Sequence, residues 1–145
     1  MKRLVLIFGF FSNAQSSLPK NVSDSLWGIW SNSLLADTIR LQALQKYTVD
    51  GYLRTMPDSA YYLAQLQYDF ANLKGVKRQM ANAQNTQGVS WFLRSNSANA
   101  LVCFQASLIL WQELNEKKGI ANSLLGIGNA YKDLGDYATA IDYYN

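Results

Sequence analysis

The chain has 145 residues, of which 49% are hydrophobic and 13% aromatic, a composition too apolar for an intrinsically disordered protein. Its formal net charge is +3, but Lys2 and Arg3 are two of the 13 basic residues, and the other 11 face 10 acidic residues, a net charge of +1. This near-balance argues against a nucleic-acid-binding face, which needs clustered positive charge.

The first fourteen residues have the pattern of a secretory signal peptide. A basic pair is followed by an apolar run, Leu4 to Phe11, and then by Ser12-Asn13-Ala14, which offers small residues to a signal peptidase. The apolar run is too short to cross a hydrocarbon core, which needs roughly 20 residues. The sequence therefore predicts cleavage after Ala14 and an exported protein, periplasmic or extracytoplasmic, with no membrane span in this segment. The alternative is a buried N-terminal strand of a cytosolic protein.

Residues 15–36 are predicted to form a polar linker and a short N-terminal capping helix. Ser23-Asp24 offers an N-cap for this helix, which carries Trp27 and Trp30. Two tryptophans three residues apart project to one side of a helix. We favour the interpretation that they cover the apolar edge of a helical stack; the alternative is an exposed pair that stacks on a ligand.

The remainder of the chain predicts a series of helices with apolar residues at three- and four-residue steps. Pro57 suits the first turn of one of them, and Gly135 suits a left-handed helix end. Six helices are predicted. The first is capped by Asp37 and ends at about Arg54, and the second extends from about Asp58 to Leu73. The third includes Ala81 and Trp91, the fourth extends from Ser97 to Leu114, the fifth begins near Lys117, and the sixth begins at Asp136.

Small and aromatic residues recur along these helices with a period of 40. Small residues at such positions allow two helices to cross closely, because a larger side chain would push them apart. The residues that define the repeat are Ala60, Gly88, Trp91, Ala100, Phe104, Gly128, Tyr131, Gly135, Ala140 and Tyr144.

The stretch from Ala121 to Asn145 resembles a tetratricopeptide repeat (TPR), a helix-turn-helix unit with the pattern W-x₂-L-G-x₂-Y followed by A-x₃-F. Here Leu124, Ile127, Gly128 and Tyr131 give the first part, and Ala140 with Tyr144 gives the second. The resemblance implies an all-α, right-handed α-solenoid of antiparallel helix pairs. Its units would be residues 37–75 (degenerate), 76–116 and 117–145 (truncated), with a period longer than the usual 34.

One helix departs from the pattern. Gln84 and Gln87 stand where Leu124 and Ile127 stand in the last unit. Polar residues on a packing face cost stability unless they find hydrogen-bond partners. Either these glutamines are satisfied across the stack, or the helix is rotated relative to the family.

Two features concern what surrounds the repeats. The last helix stops early, so the face of Ala140, Ile141 and Tyr144 is expected to be wet, and the chain is expected to be a fragment that could self-associate through this open repeat. The stretch TVDGYLRTMPDSAYYLAQL resembles the N-terminal region of exported bacterial TPR signalling proteins. Their outputs, implied here only by resemblance, are nucleotide cyclases, histidine kinases or transcription regulators.

The sequence offers little chemistry for catalysis. It contains no His and a single cysteine, Cys103, which has neither a disulfide partner in the chain nor an imidazole base. Gly126-Ile127-Gly128 lies inside a predicted helix, without the strand and third glycine of a dinucleotide site. We therefore expect no enzymatic activity, cofactor or metal, and we interpret Cys103 as a small buried helix residue.

Binding is what a TPR array implies, because the first helices of successive units line a concave groove for a peptide or partner helix. A chaperone-type carboxylate clamp needs Lys or Arg early in these helices, where this chain has Gln, Asn and Leu. The alternative to a groove is a plain solvated face. By resemblance, the groove positions are Gln42, Gln45, Val49 and Tyr52 in the first unit, Asn82, Asn85, Val89 and Phe92 in the second, and Asn122, Asn129 and Lys132 in the third.

Overall fold

A computed structural model describes residues 16–145; the predicted signal peptide, residues 1–14, lies outside the described residues. Between residues 16 and 145 the chain forms helices and no strands, and each helix packs mainly against the next one along the chain. The predicted all-α solenoid of helix pairs is therefore confirmed. The helices are α1 (Lys20–Ser31), α2 (Asp37–Gly51), α3 (Pro57–Lys74), α4 (Lys77–Leu93), α5 (Ser97–Glu113), α6 (Lys117–Asp133) and α7 (Tyr137–Tyr144).

The helices from α2 onward begin at intervals of 20 residues, so that each pair of helices spans 40. This is the period that the small and aromatic residues have in the sequence. Pro57 is at the first position of α3, where its missing N–H costs nothing. The starts are Asp37, Pro57, Lys77, Ser97, Lys117 and Tyr137.

Four of the helices end in the same way. Each is followed by a residue in the left-handed region, with φ between 53° and 85°. The N–H of the next residue then donates to a carbonyl five residues earlier, at 2.8 to 3.1 Å, as in a Schellman motif. The chain therefore reverses direction with one repeated geometry. The left-handed residues are Gly75, Ser95, Asn115 and Gly135.

Glycines admit aromatic rings where helices cross. A Cβ added to Gly128 would lie 2.5 Å from the ring of Tyr144, and a Cβ added to Gly88 would lie 2.7 Å from that of Phe104. Ala100 of α5 is fully buried at the same crossing. The small residues of the repeat are therefore fixed by packing.

Trp30 closes the N-terminal edge of the stack. It is buried in the core of the first helices, edge-to-face with Phe70 at 5.0 Å, and the Arg40 guanidinium lies 4.7 Å from the Phe70 ring centroid. Trp27 is half-buried and lies 5.4 Å from the ring of Tyr47. This geometry agrees with a covering role for the two tryptophans rather than an exposed stacking pair.

The predicted N-cap of α1 at Ser23-Asp24 is wrong. The helix begins at Lys20, after Pro19, and has no side-chain cap. The preceding chain is held from a distance: the Ser17 N–H donates to the Gly51 carbonyl at 2.8 Å, where α2 ends. Such a long-range anchor leaves no trace in the local sequence.

Asp37 also differs from its predicted role. It is the first residue of α2, Ala36 occupies the cap position, and no side chain caps the helix. The carboxylate instead pairs with Lys74 at 3.0 Å and with Arg40 at 3.1 Å. These bonds, that to Lys74 foremost, lower the pKa of the Asp37 carboxyl.

One of the two glutamines of α4, Gln87, is satisfied across the stack. The Gln87 side-chain amide donates to the Gln65 side-chain oxygen of α3 at 2.8 Å, and Gln84 is only half-buried. Of the two interpretations of this helix, the structure supports cross-stack hydrogen bonding.

The face of α7 that is expected to be open to solvent is exposed only in part. Ile141 and Tyr144 are 58% and 44% exposed, as expected. The expectation for Ala140 is wrong, because this residue is 2% exposed. It lies on the inner side of α7, which packs against α6.

We expect Ala100→Trp to lower the free energy of unfolding by about 1–3 kcal/mol or more, because the indole would overpack the crossing of α4 and α5. Ala98→Trp is the control, since Ala98 is exposed on the same helix. Urea unfolding followed by circular dichroism measures both. Equal stability of the two variants would contradict the repeat register.

We expect Ser95→Gly to raise the free energy of unfolding by about 0.5–1 kcal/mol, because glycine adopts the left-handed conformation without a steric cost. Gly135→Ser should have the opposite effect at the equivalent position. Ser33→Gly, at an exposed turn residue with no positive φ, is the control for chain entropy. A loss of stability in Ser95→Gly would exclude strain at this helix end.

Candidate functional site

The first helix of each pair lies on the inner side of the stack. Helix α2 contacts α4, and α4 contacts α6, whereas no comparable contacts join α3 to α5 or α5 to α7. In a curved stack the elements on the concave side approach one another most closely. The surface formed by α2, α4 and α6 is therefore the concave one.

A pocket of about 310 Å³ opens between α4, α5 and α6. We call it the α4–α6 pocket. It is lined by Asn85, Val89, Phe92, Phe104, Asn122, Leu125, Gly126 and Asn129.

Phe104 forms the floor of this pocket. Its ring lies between two glycines: a Cβ on Gly88 of α4 would lie 2.7 Å from it, and a Cβ on Gly126 of α6 would lie 2.8 Å from it. The ring is thus a wedge that sets the separation of α4 and α6. Because both glycines lack a side chain, the ring packs directly on the two helix backbones.

The lining combines apolar surface with amides and contains no charged residue. Leu125 is 53% exposed at the rim, and three asparagines carry the polar groups. Asn129 already accepts a hydrogen bond from the Tyr144 hydroxyl at 2.7 Å, which fixes the orientation of its amide. An amide can donate and accept, so the pocket suits a ligand with both kinds of group.

The structure brings together most of the groove residues predicted in the second and third units. Asn85, Val89, Phe92, Asn122 and Asn129 all line the pocket. Lys132 is exposed on α6 and does not line it.

Three lining residues were not predicted as site residues. The repeat pattern predicts a packing role for Phe104, and its ring both packs between the helices and lines the pocket. Gly126 and Leu125 could have been found, because they stand four and three residues after Asn122 and therefore share its helix face.

The groove positions predicted in the first unit do not line the α4–α6 pocket. The Asn82 amide donates to the Gln45 side-chain oxygen at 3.0 Å, a bond that bridges α4 and α2. Gln42 is exposed on α2 and Val49 is half-buried; neither lines the pocket.

The prediction that Tyr52 faces the groove is wrong. Its side chain is 3% exposed, and its hydroxyl lies 2.9 Å from the hydroxyl of Tyr47. Burial raises the pKa of Tyr52 well above its ordinary value, and the hydrogen bond with Tyr47 adds to this. The misplacement follows from α2 ending at Gly51, before Tyr52, rather than at Arg54.

Cys103 has no features of a reactive thiol. It is half-buried on α5, less deeply than predicted, and burial raises the pKa of the thiol. Over residues 16–145 there is no group of three or more His, Cys, Asp or Glu side chains that could hold a metal ion.

We expect Tyr52→Phe to reduce the loss of stability at alkaline pH. The raised pKa keeps Tyr52 protonated in the folded protein, whereas the side chain ionises near pH 10 in the unfolded chain. The contribution of Tyr52 to the free energy of unfolding is therefore complete below about pH 10 and is lost as the pH rises further. In urea unfolding above pH 10, the wild-type slope should exceed that of the variant by up to about 1.4 kcal/mol per pH unit. Tyr62→Phe removes an exposed hydroxyl and is the control; parallel slopes for all three proteins would contradict the burial of Tyr52.

Comparison with known proteins places this geometry in a family. In the described part of the chain, residues 16–145, no helix is long and apolar enough to span a bilayer. A search of curated proteins finds no match. Residues 79–145 match the family described as tetratricopeptide repeat, and this range contains the whole lining of the α4–α6 pocket. Residues 79–145 therefore form tetratricopeptide repeats, as the residues of the last unit predicted.

Proposed function

We propose that this protein binds a segment of a partner protein in the concave groove, at the α4–α6 pocket. Tetratricopeptide repeats form protein–protein interaction modules, and the fold is typically non-catalytic. The observation that carries the proposal is a pocket of about 310 Å³ on the concave side, inside the region that matches the family.

The chemistry of the pocket supports a protein ligand. Phe92, Phe104 and Leu125 supply apolar surface, which provides most of the free energy of such contacts. The asparagine amides supply hydrogen bonds that fix orientation. Because no Lys or Arg lines the pocket, it lacks the groups that a carboxylate clamp requires.

We expect Leu125→Trp to abolish peptide binding, because the indole would fill the mouth of the pocket. The measurement is selection of short random peptides displayed on phage against the immobilised full chain, followed by titration of the selected peptides. Ile109→Trp is the matched control. Ile109 on α5 is 57% exposed, close to the 53% of Leu125, but it does not line the pocket. Failure to select any peptide, or equal binding by the two variants, would refute the proposed function.

We also propose that the protein is exported, which rests on the signal-peptide pattern of residues 1–14. Expression of the full chain in a bacterium, followed by fractionation and N-terminal sequencing, tests this. A periplasmic product beginning at Gln15 is the expected result. A cytoplasmic product that retains Met1 would overturn it.

A role in signalling is a further candidate for the setting of this module. It is supported by the resemblance of residues 48–66 to exported bacterial TPR signalling proteins. The coding sequence that follows the codon for Asn145 tests it. A membrane span and a cyclase, kinase or transcription-regulator domain in that sequence would support the signalling role, whereas a stop codon or further repeats alone would remove it.

A further inference from the structure

We propose that the α4–α6 pocket selects one bulky apolar side chain from an extended, uncharged segment of the partner. This inference rests on the proposed function, because it specifies the ligand of the same groove. It is carried by three observations: the difference between two equivalent helix junctions, the absence of charge in the lining, and the placement of the asparagine amides.

The pocket lies at the second of two structurally equivalent junctions. At the first, between α2 and α4, the Asn82–Gln45 hydrogen bond crosses the groove. The corresponding residues at the second junction, 40 positions later, are Asn122 and Asn85, which both line the open pocket. A ligand that reaches the second junction therefore meets amides that are not bonded across the groove.

The residues beneath the groove also differ between the two junctions. Ala64 occupies the position of Phe104, and Thr86 occupies that of Gly126. The Thr86 hydroxyl donates to the Asn82 carbonyl at 3.0 Å, whereas Gly126 leaves its helix backbone bare against the Phe104 ring. The second junction thus has a largely buried aromatic ring, 3% exposed, at the base of its pocket, which the first junction lacks.

An apolar side chain matches this floor. Phe104 lies below, Phe92 and Val89 stand on α4, and Leu125 stands on α6. A volume of about 310 Å³ accommodates a side chain the size of Leu, Met or Phe with part of the adjoining backbone. Placing a carboxylate or ammonium there would strip its hydration without an opposite charge in the lining, which is strongly unfavourable.

The asparagines favour an extended segment over a helix. A helix satisfies its own backbone N–H and C=O groups, whereas an extended chain has both unpaired. Asn85 and Asn122 line the pocket and offer amide groups to such a chain, and Asn129, whose side-chain oxygen accepts from Tyr144, can offer its NH₂ group. Side-chain amides bond to any peptide backbone, so they contribute affinity, while the apolar lining formed by Val89, Phe92 and Leu125 above the Phe104 ring contributes selectivity.

The test begins with peptides selected by phage display on the immobilised full chain. We expect them to share one bulky apolar position within a stretch free of charged residues. The alternative outcome is a set of peptides with an acidic or basic consensus. These peptides would bind the chain, compete with one another and fail to bind the Leu125→Trp variant. That result would overturn this inference and leave the proposed function standing. No selected peptide, or peptides insensitive to Leu125→Trp, would overturn both.

Substitution within a selected peptide then measures the pocket itself. Synthetic peptides with the apolar position replaced by Ala, by Asp and by Lys are titrated against the full chain by fluorescence anisotropy. We expect Ala to raise Kd by about tenfold or more and the charged residues to raise it further. In Ile109→Trp the order and size of these effects should be unchanged. If Asp, Lys and the apolar residue bind equally well, the selectivity is absent.

A final measurement separates an extended peptide from a helical one. Circular dichroism of the mixture, compared with the sum of the separate spectra, reports helix formation in the ligand. We expect no gain in helicity at saturating peptide. A gain equivalent to a helical peptide would overturn the extended geometry.

Discussion

From α3 onward, the architecture depends on a left-handed residue placed at every twentieth position. Gly75, Ser95, Asn115 and Gly135 each end a helix with the same pair of backbone hydrogen bonds, and so these four connections have the same shape. Glycine pays no steric cost in this conformation, but Ser95 and Asn115 adopt it as well, so the surrounding packing must hold them there. Because the stops are evenly spaced, α4 and α6 emerge side by side, and the pocket between them follows from this spacing.

Close helix approach explains why this stack contains so many buried polar contacts. The Ser107 hydroxyl of α5 bonds to the Ala81 carbonyl of α4 and accepts from Ser123 of α6 at 3.1 Å, and all three residues are fully buried. Gln67 of α3 donates to the Gln79 side chain of α4 at 2.9 Å. Satisfied polar groups such as the two serine hydroxyls cost little and define one register. The Gln67 side-chain oxygen, in contrast, is a buried acceptor with no hydrogen-bond partner among residues 16–145, which costs free energy. The buried polar groups of α4 are therefore used in packing, and the residues of α4 that can contact a ligand are those on its concave face.

Much of the fold could be predicted from sequence because the repeat is carried by residues with a local steric reason. Gly128 and Ala140 reveal a crossing, and Gly135 reveals a helix end, without knowledge of anything distant. What could not be predicted depends on partners far along the chain: Ser17 anchors to Gly51, and α1 consequently starts before the residues that look like its cap. The same applies to the site. The asparagines could be placed on the concave face by periodicity, but the burial of Tyr52 against Tyr47 and the position of the Phe104 ring at the base of the pocket are tertiary facts.

The comparison of the two junctions shows how a repeat protein can specify a ligand without altering its scaffold. The helices at the α2–α4 and α4–α6 junctions begin at the same 40-residue spacing, and the differences in the groove described above lie in side chains at matching positions. Phe104 in place of Ala64 adds a ring at the base of the pocket, and Gly126 in place of Thr86 lets this ring pack directly on the α6 backbone, so that only 3% of Phe104 is exposed. Phe104 also holds α4 and α6 apart, which couples the stability of the stack to the shape of the pocket. A larger or smaller side chain at this position would change both at once, and so the residue most suited to tuning the ligand is also the one that packing constrains most.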